Sequence, residues 1–170
     1  MSKYKTVFVY IMSGVPGSGK STCAKLLKDW HNTANSVICS ADDYFMENGV
    51  YNFRAGDLFH AHKWCQSKFK QSLEDGVEVI IVDNTNVNYQ QIKVYYDMFE
   101  AAKHLYEDSS INIVRPDTPW CFDAEECFKR NTHSVPLEVI KRMLNEIKNT
   151  SYQEMKIGVI YMQKEDYEQK

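Results

Sequence analysis

The amino-acid sequence predicts an α/β fold in which helices cover both faces of a mainly parallel sheet. Short apolar runs rich in β-branched and aromatic residues alternate with longer segments of helical periodicity, an order typical of β-α-β units. No apolar run reaches the roughly 20 residues that a membrane-spanning helix needs, so these segments are expected to form a globular core. The 170 residues are predicted to form one domain, with a polar C-terminal tail over about residues 162–170.

The first elements follow from apolar patterning. Residues 6–12 form a nearly continuous apolar run, which predicts a central strand buried on both faces. Leu26 and Leu27 lie on the apolar side of a predicted helix over residues 22–30. A short apolar run predicts a second strand over residues 36–40.

Strands and helices continue to alternate through the rest of the chain. Asp57 is a predicted helix cap, Gly76 a stop, and Ser134 the cap of a helix with Pro136 in its first turn. The remaining predicted elements are an irregular connection over 46–56, a helix over 57–73, a strand over 78–83, a helix over 89–105, a strand over 111–114, a loop over 115–123, helices over 124–131 and 135–149, and a strand over 157–161.

The turn after the first predicted strand matches the P-loop pattern G-x-x-x-x-G-K-[ST]. Its glycines let successive backbone N–H groups curl around phosphate oxygens, and the following helix adds the positive end of its dipole. Lys20 is expected to reach the β- and γ-phosphates, and the Ser21 hydroxyl to bind Mg²⁺. An ordinary glycine-rich turn is the alternative. The motif predicts a three-layer P-loop NTPase fold that binds ATP and Mg²⁺. The predicted nucleotide-binding residues are Gly17, Ser18, Gly19, Lys20, Ser21 and Thr22.

Two carboxylates end predicted strands at the sheet edge where open parallel sheets bind ligands. Asp42 follows the second strand and is the predicted base that accepts a proton from the phosphoryl acceptor. Its alternative role is to cap the next turn. Asp83 closes the third strand and is a predicted Mg²⁺ ligand, with an ordinary turn residue as the alternative. Further substrate contacts predicted at this edge are Asp43, Thr85 and Asn86.

A short predicted helix ends in Lys129-Arg130-Asn131 and precedes a break at residues 132–134, as expected of a helical lid. An arginine in a lid stabilises the charge that spreads over a transferred phosphoryl group. Arg130 is therefore a predicted catalytic residue, with Lys20 and Asp42. A solvated cation favoured by the helix dipole is the alternative.

Composition limits the classes of partner. The net charge of −3 excludes a generally basic nucleic-acid coat, so any nucleic-acid contact is expected to be local. Five scattered cysteines without a C-x-x-C pair favour reduced thiols in an intracellular protein, cytoplasmic or nuclear. Arg54 and Arg115 are both candidates to bind an acceptor phosphate, whereas Arg142 is expected on an exposed face. The aromatic residues expected to stack on a base or to pack in the core are Tyr44, Phe45, Tyr51 and Phe53.

Five sequence blocks, in this order, resemble the P-loop polynucleotide 5′-hydroxyl kinases. The likeness extends from about residue 6 to 149. It is strongest to the kinase domain of the Nedd-four-binding protein two family, and the chain looks more distantly like the phage polynucleotide kinase. The blocks are Gly-Val-Pro-Gly-Ser-Gly-Lys-Ser-Thr at 14–22, Ser-Ala-Asp-Asp-Tyr-Phe at 40–45, Val-Asp-Asn-Thr-Asn at 82–86, Pro-Asp-Thr-Pro-Trp at 116–120 and Lys-Arg-Asn-Thr-His-Ser-Val-Pro at 129–136.

The resemblance implies a kinase that transfers the γ-phosphate of ATP to a 5′-hydroxyl end of DNA or RNA, with Mg²⁺. By motif position it implies that Lys20 and Ser21 contact phosphate and metal, that Asp42 is the general base, and that Arg130 belongs to the lid. No membrane association is implied.

Two departures from the phage enzyme concern the acceptor. The phage enzyme carries an arginine three residues after the base, which engages the acceptor's phosphate, and Phe45 stands at that position here. The phage lid also has a further arginine where this chain has Thr132 and His133.

Two other functions use the same donor-binding motif. A small-molecule kinase would phosphorylate a nucleoside, sugar or nucleotide-sugar, and the lack of a basic patch favours it. A non-catalytic module would bind ATP without transfer, which the intact Asp42 disfavours.

Overall fold

Five parallel strands form the central sheet, and helices cover both of its faces. The computed structural model describes residues 1–163. The sheet contains β1 (Tyr4–Met12), β2 (Ser36–Cys39), β5 (Val79–Val82), β6 (Tyr106–Pro116) and β7 (Gly158–Met162), in the order β2-β5-β1-β6-β7. A separate hairpin contains β3 (Met46–Glu47) and β4 (Val50–Tyr51). The helices are α1 (Lys20–His31), α2 (Leu58–Glu74), α3 (Tyr89–Ala102), α4 (Ala124–Arg130) and α5 (Leu137–Asn149). The predicted α/β class with a parallel sheet is confirmed.

The middle strand, β1, explains the layered arrangement. It pairs in parallel with β5 on one side and β6 on the other. Val7, Val9 and Ile11 are fully buried and pack in one apolar cluster, whereas Tyr10 and Met12 pack in another. Successive side chains of a strand point to opposite faces, so both faces of β1 need cover. Its sequence is therefore apolar at nearly every position.

The helices supply that cover. Phe69 of α2 and Tyr95 of α3 belong to the cluster on one face of the sheet. Leu27 of α1 belongs to the cluster on the other face. Helices on both faces of a parallel sheet give the three layers predicted from the sequence.

A third apolar cluster forms the predicted helical lid. Cys127 of α4 and Ile140 of α5 are fully buried in it, together with Val15 of the loop that follows β1. The two helices therefore pack directly over that loop, at the carboxyl ends of the strands.

The segment after β2 differs from the predicted irregular connection. Residues 46–47 and 50–51 pair antiparallel around Asn48 and Gly49, whose φ angles are 52° and 79°. Two consecutive residues with positive φ are what a tight hairpin turn requires.

Two other bounds also differ. β6 begins at Tyr106, not at residue 111, because it pairs with β1 from Tyr4 onward. The last helix begins at Leu137, and Ser134 has a φ of 56° instead of capping it.

The C-terminal end of the sheet also differs from the prediction. Met162, where the polar tail was predicted to begin, is buried at the end of β7. Residues 164–170 of that predicted tail lie outside the described residues. Within residues 1–163, none of the helices is long and apolar enough to cross a membrane.

Candidate active site

The P-loop connects β1 to α1 and has the backbone that its glycines permit. Gly17 and Gly19 have φ angles of 81° and 100°, and Gly19 immediately precedes the first residue of α1. Amides in the first turn of a helix have no intrahelical acceptor, so those of Lys20, Ser21 and Thr22 remain available for an anion. All three residues line a cleft of about 990 Å³ at the carboxyl ends of the strands.

Side chains from the segment after β6 donate hydrogen bonds to the backbone of the P-loop. The indole Nε1 of Trp120 donates to the Gly17 carbonyl at 3.0 Å, and the Thr118 hydroxyl donates to the Ser18 carbonyl at 2.9 Å. Because both carbonyls are already hydrogen-bonded within the chain, the loop is fixed before a ligand arrives. Ser18 is buried and does not line the cleft, unlike the other five predicted nucleotide-binding residues.

Lys20 and Asp83 form an ion pair at the bottom of the cleft. The Lys20 ammonium lies 3.0 Å from Asp83 Oδ1, and both side chains are only about one-tenth exposed. Ser21 lines the same cleft and is exposed. A hydroxyl and a carboxylate are hard oxygen donors, which suit Mg²⁺.

The structure therefore fits a magnesium ion held jointly with phosphate oxygens. Among residues 1–163 there is no group of three or more His, Cys, Asp or Glu side chains that could hold a metal ion alone. Mg²⁺ is usually bound by one or two carboxylates together with substrate phosphates, so Ser21 and Asp83 are a sufficient protein contribution.

Asp42 lines the same cleft, in a short 3-10 helix that follows β2. Two contacts fix the backbone there. Ser40 Oγ accepts from the Asp42 amide at 3.3 Å, and the buried Asn84 side chain accepts from the Ala41 amide at 2.8 Å. Asn84 follows β5, so two neighbouring strands position this carboxylate.

Both carboxylate oxygens of Asp42 have neighbours from elsewhere in the chain. The Tyr51 hydroxyl donates to Oδ1 at 3.1 Å, and His133 Nε2 lies 3.6 Å from Oδ2. The Tyr51 and His133 rings also touch, with centroids 4.4 Å apart. Burial, and then the charge of Asp42, raise the pKa of Tyr51 to about 12, so its hydroxyl stays a donor at neutral pH.

Arg130 ends α4 and lines the same cleft. Its guanidinium carbon lies 3.7 Å from the centroid of the Trp120 ring, and its Nε donates to Glu126 at 2.9 Å. A stacked and ion-paired guanidinium is oriented but still exposed, which allows a contact with a phosphate.

The cleft brings together most of the predicted site residues but not all of them. Thr85 lines it, whereas Asp43 and Asn86 do not. The Asn86 amide is buried and donates to the Met12 carbonyl at 2.7 Å, so it supports the loop after β1. Asp43 is exposed outside the cleft, and partial desolvation raises the pKa of its carboxyl.

The predicted candidates for an acceptor phosphate are not on the cleft wall. Arg54 forms ion pairs with Glu47, through Nη1 at 2.7 Å, and with Asp57, through Nε at 2.7 Å. Arg115 donates to the Tyr152 hydroxyl at 3.0 Å. Arg142 of α5 is exposed, as expected, and also lines the cleft.

The aromatic residues and histidines divide between the cleft and the core. Phe45 is fully buried, with the Phe53 ring 5.1 Å away. Tyr51 and Phe53 line the cleft, together with His62. The place of His62 in the helical pattern does not predict that it lines the cleft. Contacts with the segment after β2 decide which side of α2 faces the cleft.

Comparison with known proteins supports the parallel α/β fold with a P-loop described above. Residues 9–150 match the family described as an AAA domain. The chain is 38% identical over 143 residues to human NEDD4-binding protein 2, an alignment that covers 84% of this chain and 8% of that protein. It is 26% identical over 139 residues to rat 2′,3′-cyclic-nucleotide 3′-phosphodiesterase, which covers 82% of this chain and 30% of that protein. The chain thus spans less than a third of either relative.

Solved structures share the fold at lower identity. A chain of the Pnkp1/Rnl/Hen1 RNA repair complex aligns with a TM-score of 0.64 and 21% identity, over 86% of this chain and 45% of that one. The Mycobacterium tuberculosis APS kinase CysC, solved with AMPPNP and APS, aligns with a TM-score of 0.55 and 14% identity, over 94% of this chain and 90% of that one.

Proposed function

The chain belongs to the AAA domain family and has a P-loop kinase fold, and from that premise we propose that it is an ATP-dependent polynucleotide 5′-hydroxyl kinase. It would transfer the γ-phosphate of ATP to the 5′-hydroxyl end of DNA or RNA. One observation carries the proposal. The P-loop and Asp42 line one cleft, whose volume of about 990 Å³ is large enough for a nucleotide and an acceptor.

The P-loop side binds the donor. Its amides and the Lys20 ammonium supply positive charge to the β- and γ-phosphate oxygens. Ser21 and Asp83 would hold Mg²⁺, which neutralises the charge that develops on the phosphates. Thr22 lines the same part of the cleft and extends the amide cradle.

The Asp42 side activates the acceptor. As the acceptor oxygen bonds to the γ-phosphorus, its proton passes to the Asp42 carboxylate, and the bond from that phosphorus to the bridging oxygen of ADP breaks. Tyr51 donates to Oδ1 of Asp42, so the proton passes to Oδ2, from which His133 Nε2 lies 3.6 Å away, beyond hydrogen-bond distance. Arg130 is placed to offset the charge on the three equatorial oxygens of the transferred group.

The wall around Asp42 favours a nucleotide acceptor over a sugar. Tyr51 and Phe53 present aromatic surface in the cleft, on which a base can stack. His62, His133 and Arg142 line the same cleft and provide cationic or hydrogen-bonding groups for an acceptor phosphate. The fold shared with a chain of an RNA repair complex agrees with this choice.

A small-molecule kinase is the second candidate. The fold match to APS kinase covers more of both chains than the match to the RNA repair complex, and the net charge of −3 gives no general attraction for nucleic acid. The acceptor then would be a nucleoside, sugar or nucleotide-sugar that fits beside Asp42.

A panel of acceptors with radiolabelled ATP tests the proposal. The panel contains 5′-hydroxyl oligonucleotides of DNA and RNA, matched 5′-phosphorylated oligonucleotides, nucleosides and sugars. We expect label on the 5′-hydroxyl oligonucleotides and none on the 5′-phosphorylated controls. Transfer only to nucleosides or sugars would favour the second candidate, and ATP binding without transfer to any acceptor would leave a non-catalytic module.

A further inference from the structure

The outer face of α2 combines exposed aromatic and basic residues. Between Asp57 and Glu74 the chain carries three lysines and no acidic residue. The nearest acidic side chains upstream, Glu47 and Asp57, both pair with Arg54. Lys68 donates to the Ile38 carbonyl at 3.0 Å, and Lys70 lies 4.0 Å from Glu74. The exposed positive charge of this stretch is therefore centred on Lys63.

This face borders the side of α2 that lines the cleft. Leu58 and His62 are four positions apart and both line the cleft, and Phe59 and Lys63 form the next row, about 100° around the helix. Phe53 also lines the cleft and is half exposed. We refer to Phe53, Leu58, Phe59 and Lys63 as the α2 strip.

The α2 strip has the chemistry of a single-strand binding surface. Phe59 is 67% exposed, far more than burial in the core would leave, and the Lys63 ammonium lies 5.5 Å from its ring centroid. An exposed ring offers a stacking platform to any base, and a neighbouring ammonium can meet the phosphate that links two bases. Neither residue contributes to the apolar clusters of the core.

We propose that the α2 strip binds the single-stranded part of the acceptor that follows its 5′-terminal nucleotide. The inference rests on the proposed kinase function, since it assigns the direction in which a polynucleotide leaves Asp42. Its bases stack on Phe59 and Phe53, and Lys63 pairs with a phosphate. The position beside the cleft and the pairing of an exposed ring with an exposed ammonium favour a nucleic acid over an apolar protein partner.

Direct binding tests the α2 strip without requiring catalysis. The probe is a fluorescent single-stranded oligonucleotide of about 12 nucleotides, within the usual size of such sites, and its affinity is measured by anisotropy. Phe59→Ala is expected to weaken binding at least about fivefold, the lower range for the loss of one stacked base. Lys63→Gln is expected to lower the slope of log K against log salt by about 0.7. The matched controls are Phe122→Ala, which removes another half-exposed ring, and Lys25→Gln, which removes another exposed lysine.

Unchanged binding in both α2 variants would overturn the proposal, as would equal losses in the two controls. Competition with an unlabelled double strand of the same length should be weaker than with a single strand. Equal competition would also contradict a stacking surface, because the bases of a duplex are not free to stack on Phe59.

Kinetics separate this inference from the kinase function. For Phe59→Ala we expect a rise of at least about fivefold in KM for the 12-nucleotide acceptor, with an unchanged KM for a nucleoside 3′-monophosphate. Loss of binding without phosphorylation of any acceptor by the wild type would support the α2 strip and refute the kinase. Normal phosphorylation with equal KM values in the variant and the wild type would support the kinase and refute the α2 strip.

Discussion

Replacing Gly17 by alanine tests whether close contact between the lid and the P-loop is needed for ATP binding. A Cβ at Gly17 would lie 2.0 Å from the carbonyl oxygen of Cys127 and 3.0 Å from the backbone nitrogen of Asn131. Both are backbone atoms of the lid, so no side chain can rotate to make room. The lid helix α4 would have to withdraw until the oxygen reaches an ordinary contact distance of at least 3.4 Å.

The magnitude follows from this displacement. The φ of 81° at Gly17 adds about 1–2 kcal/mol of backbone strain for alanine, and overpacking adds about 1–3 kcal/mol. The withdrawal carries Arg130, the last residue of α4, away from the cleft. A misplacement of about 1 Å at a reacting centre can lower turnover about hundredfold, so we expect kcat/KM for ATP to fall at least that far.

Gly49→Ala is the matched control. Gly49 has nearly the same φ, 79°, but an added Cβ would have no neighbour within 4 Å. This variant should lose only about 1–2 kcal/mol of unfolding free energy, with unchanged ATP affinity. Calorimetric titration with ATP and urea unfolding measure both quantities, and steady-state kinetics measure kcat/KM for ATP in the two variants. A Gly17→Ala protein with the kcat/KM of the wild type would refute the need for close contact between the lid and the P-loop.

Three further predictions concern the cleft. Tyr51→Phe keeps the ring but loses the hydrogen bond to Asp42. Turnover should therefore fall about tenfold, with an unchanged KM for ATP. Unchanged turnover would show that Tyr51 does not position Asp42. Asp83→Asn should raise the Mg²⁺ concentration for half-maximal activity about tenfold, since it weakens a metal ligand, and an unaltered Mg²⁺ titration would contradict that role. Burial lowers the pKa of His62 below its ordinary 6.5, so the unfolded chain binds a proton first as the pH falls. The free energy of unfolding should therefore drop below about pH 6.5, and the drop should be smaller in His62→Gln when urea unfolding is measured at pH 7.5 and 5.5.

Strong local signals made most of the fold predictable. The apolar run at residues 6–12 required cover on both faces, and the structure places it at the centre of the sheet. The start of β6 was missed because Glu107, Asp108 and Ser109 are exposed and carry no apolar signal, although their backbones pair with β1. Pairing with a long neighbour, not the sequence of β6 itself, sets this bound.

The hairpin at 46–51 was missed for a different reason. Its strands contain two residues each, which is too short for any periodicity to appear. The pair Asn48-Gly49 is nevertheless a strong hairpin signal, and it is sufficient to predict the turn.

Contacts distant in sequence account for what was missed in the site. Tyr51 and His133 meet over Asp42, yet His133 lies 91 positions beyond it along the chain. Nothing in the local sequence around His133 indicates this. The packing of α4 and α5 over the P-loop brings His133 to Asp42. The same packing sets which side of α5 faces the cleft, and so places Arg142 in its lining.

Asp42→Asn, assayed for phosphoryl transfer and for ATP binding in parallel, tests most directly whether a carboxylate that lines the same cleft as the P-loop activates the acceptor. Asparagine keeps the shape of the side chain and can still accept the hydrogen bond from Tyr51, but it cannot take the acceptor's proton. With saturating enzyme, radiolabelled ATP and a 5′-hydroxyl oligonucleotide, single-turnover transfer should fall about hundredfold or more, with unchanged ATP affinity. Transfer at the wild-type rate, or equal losses of transfer and of ATP affinity, would contradict the role of Asp42.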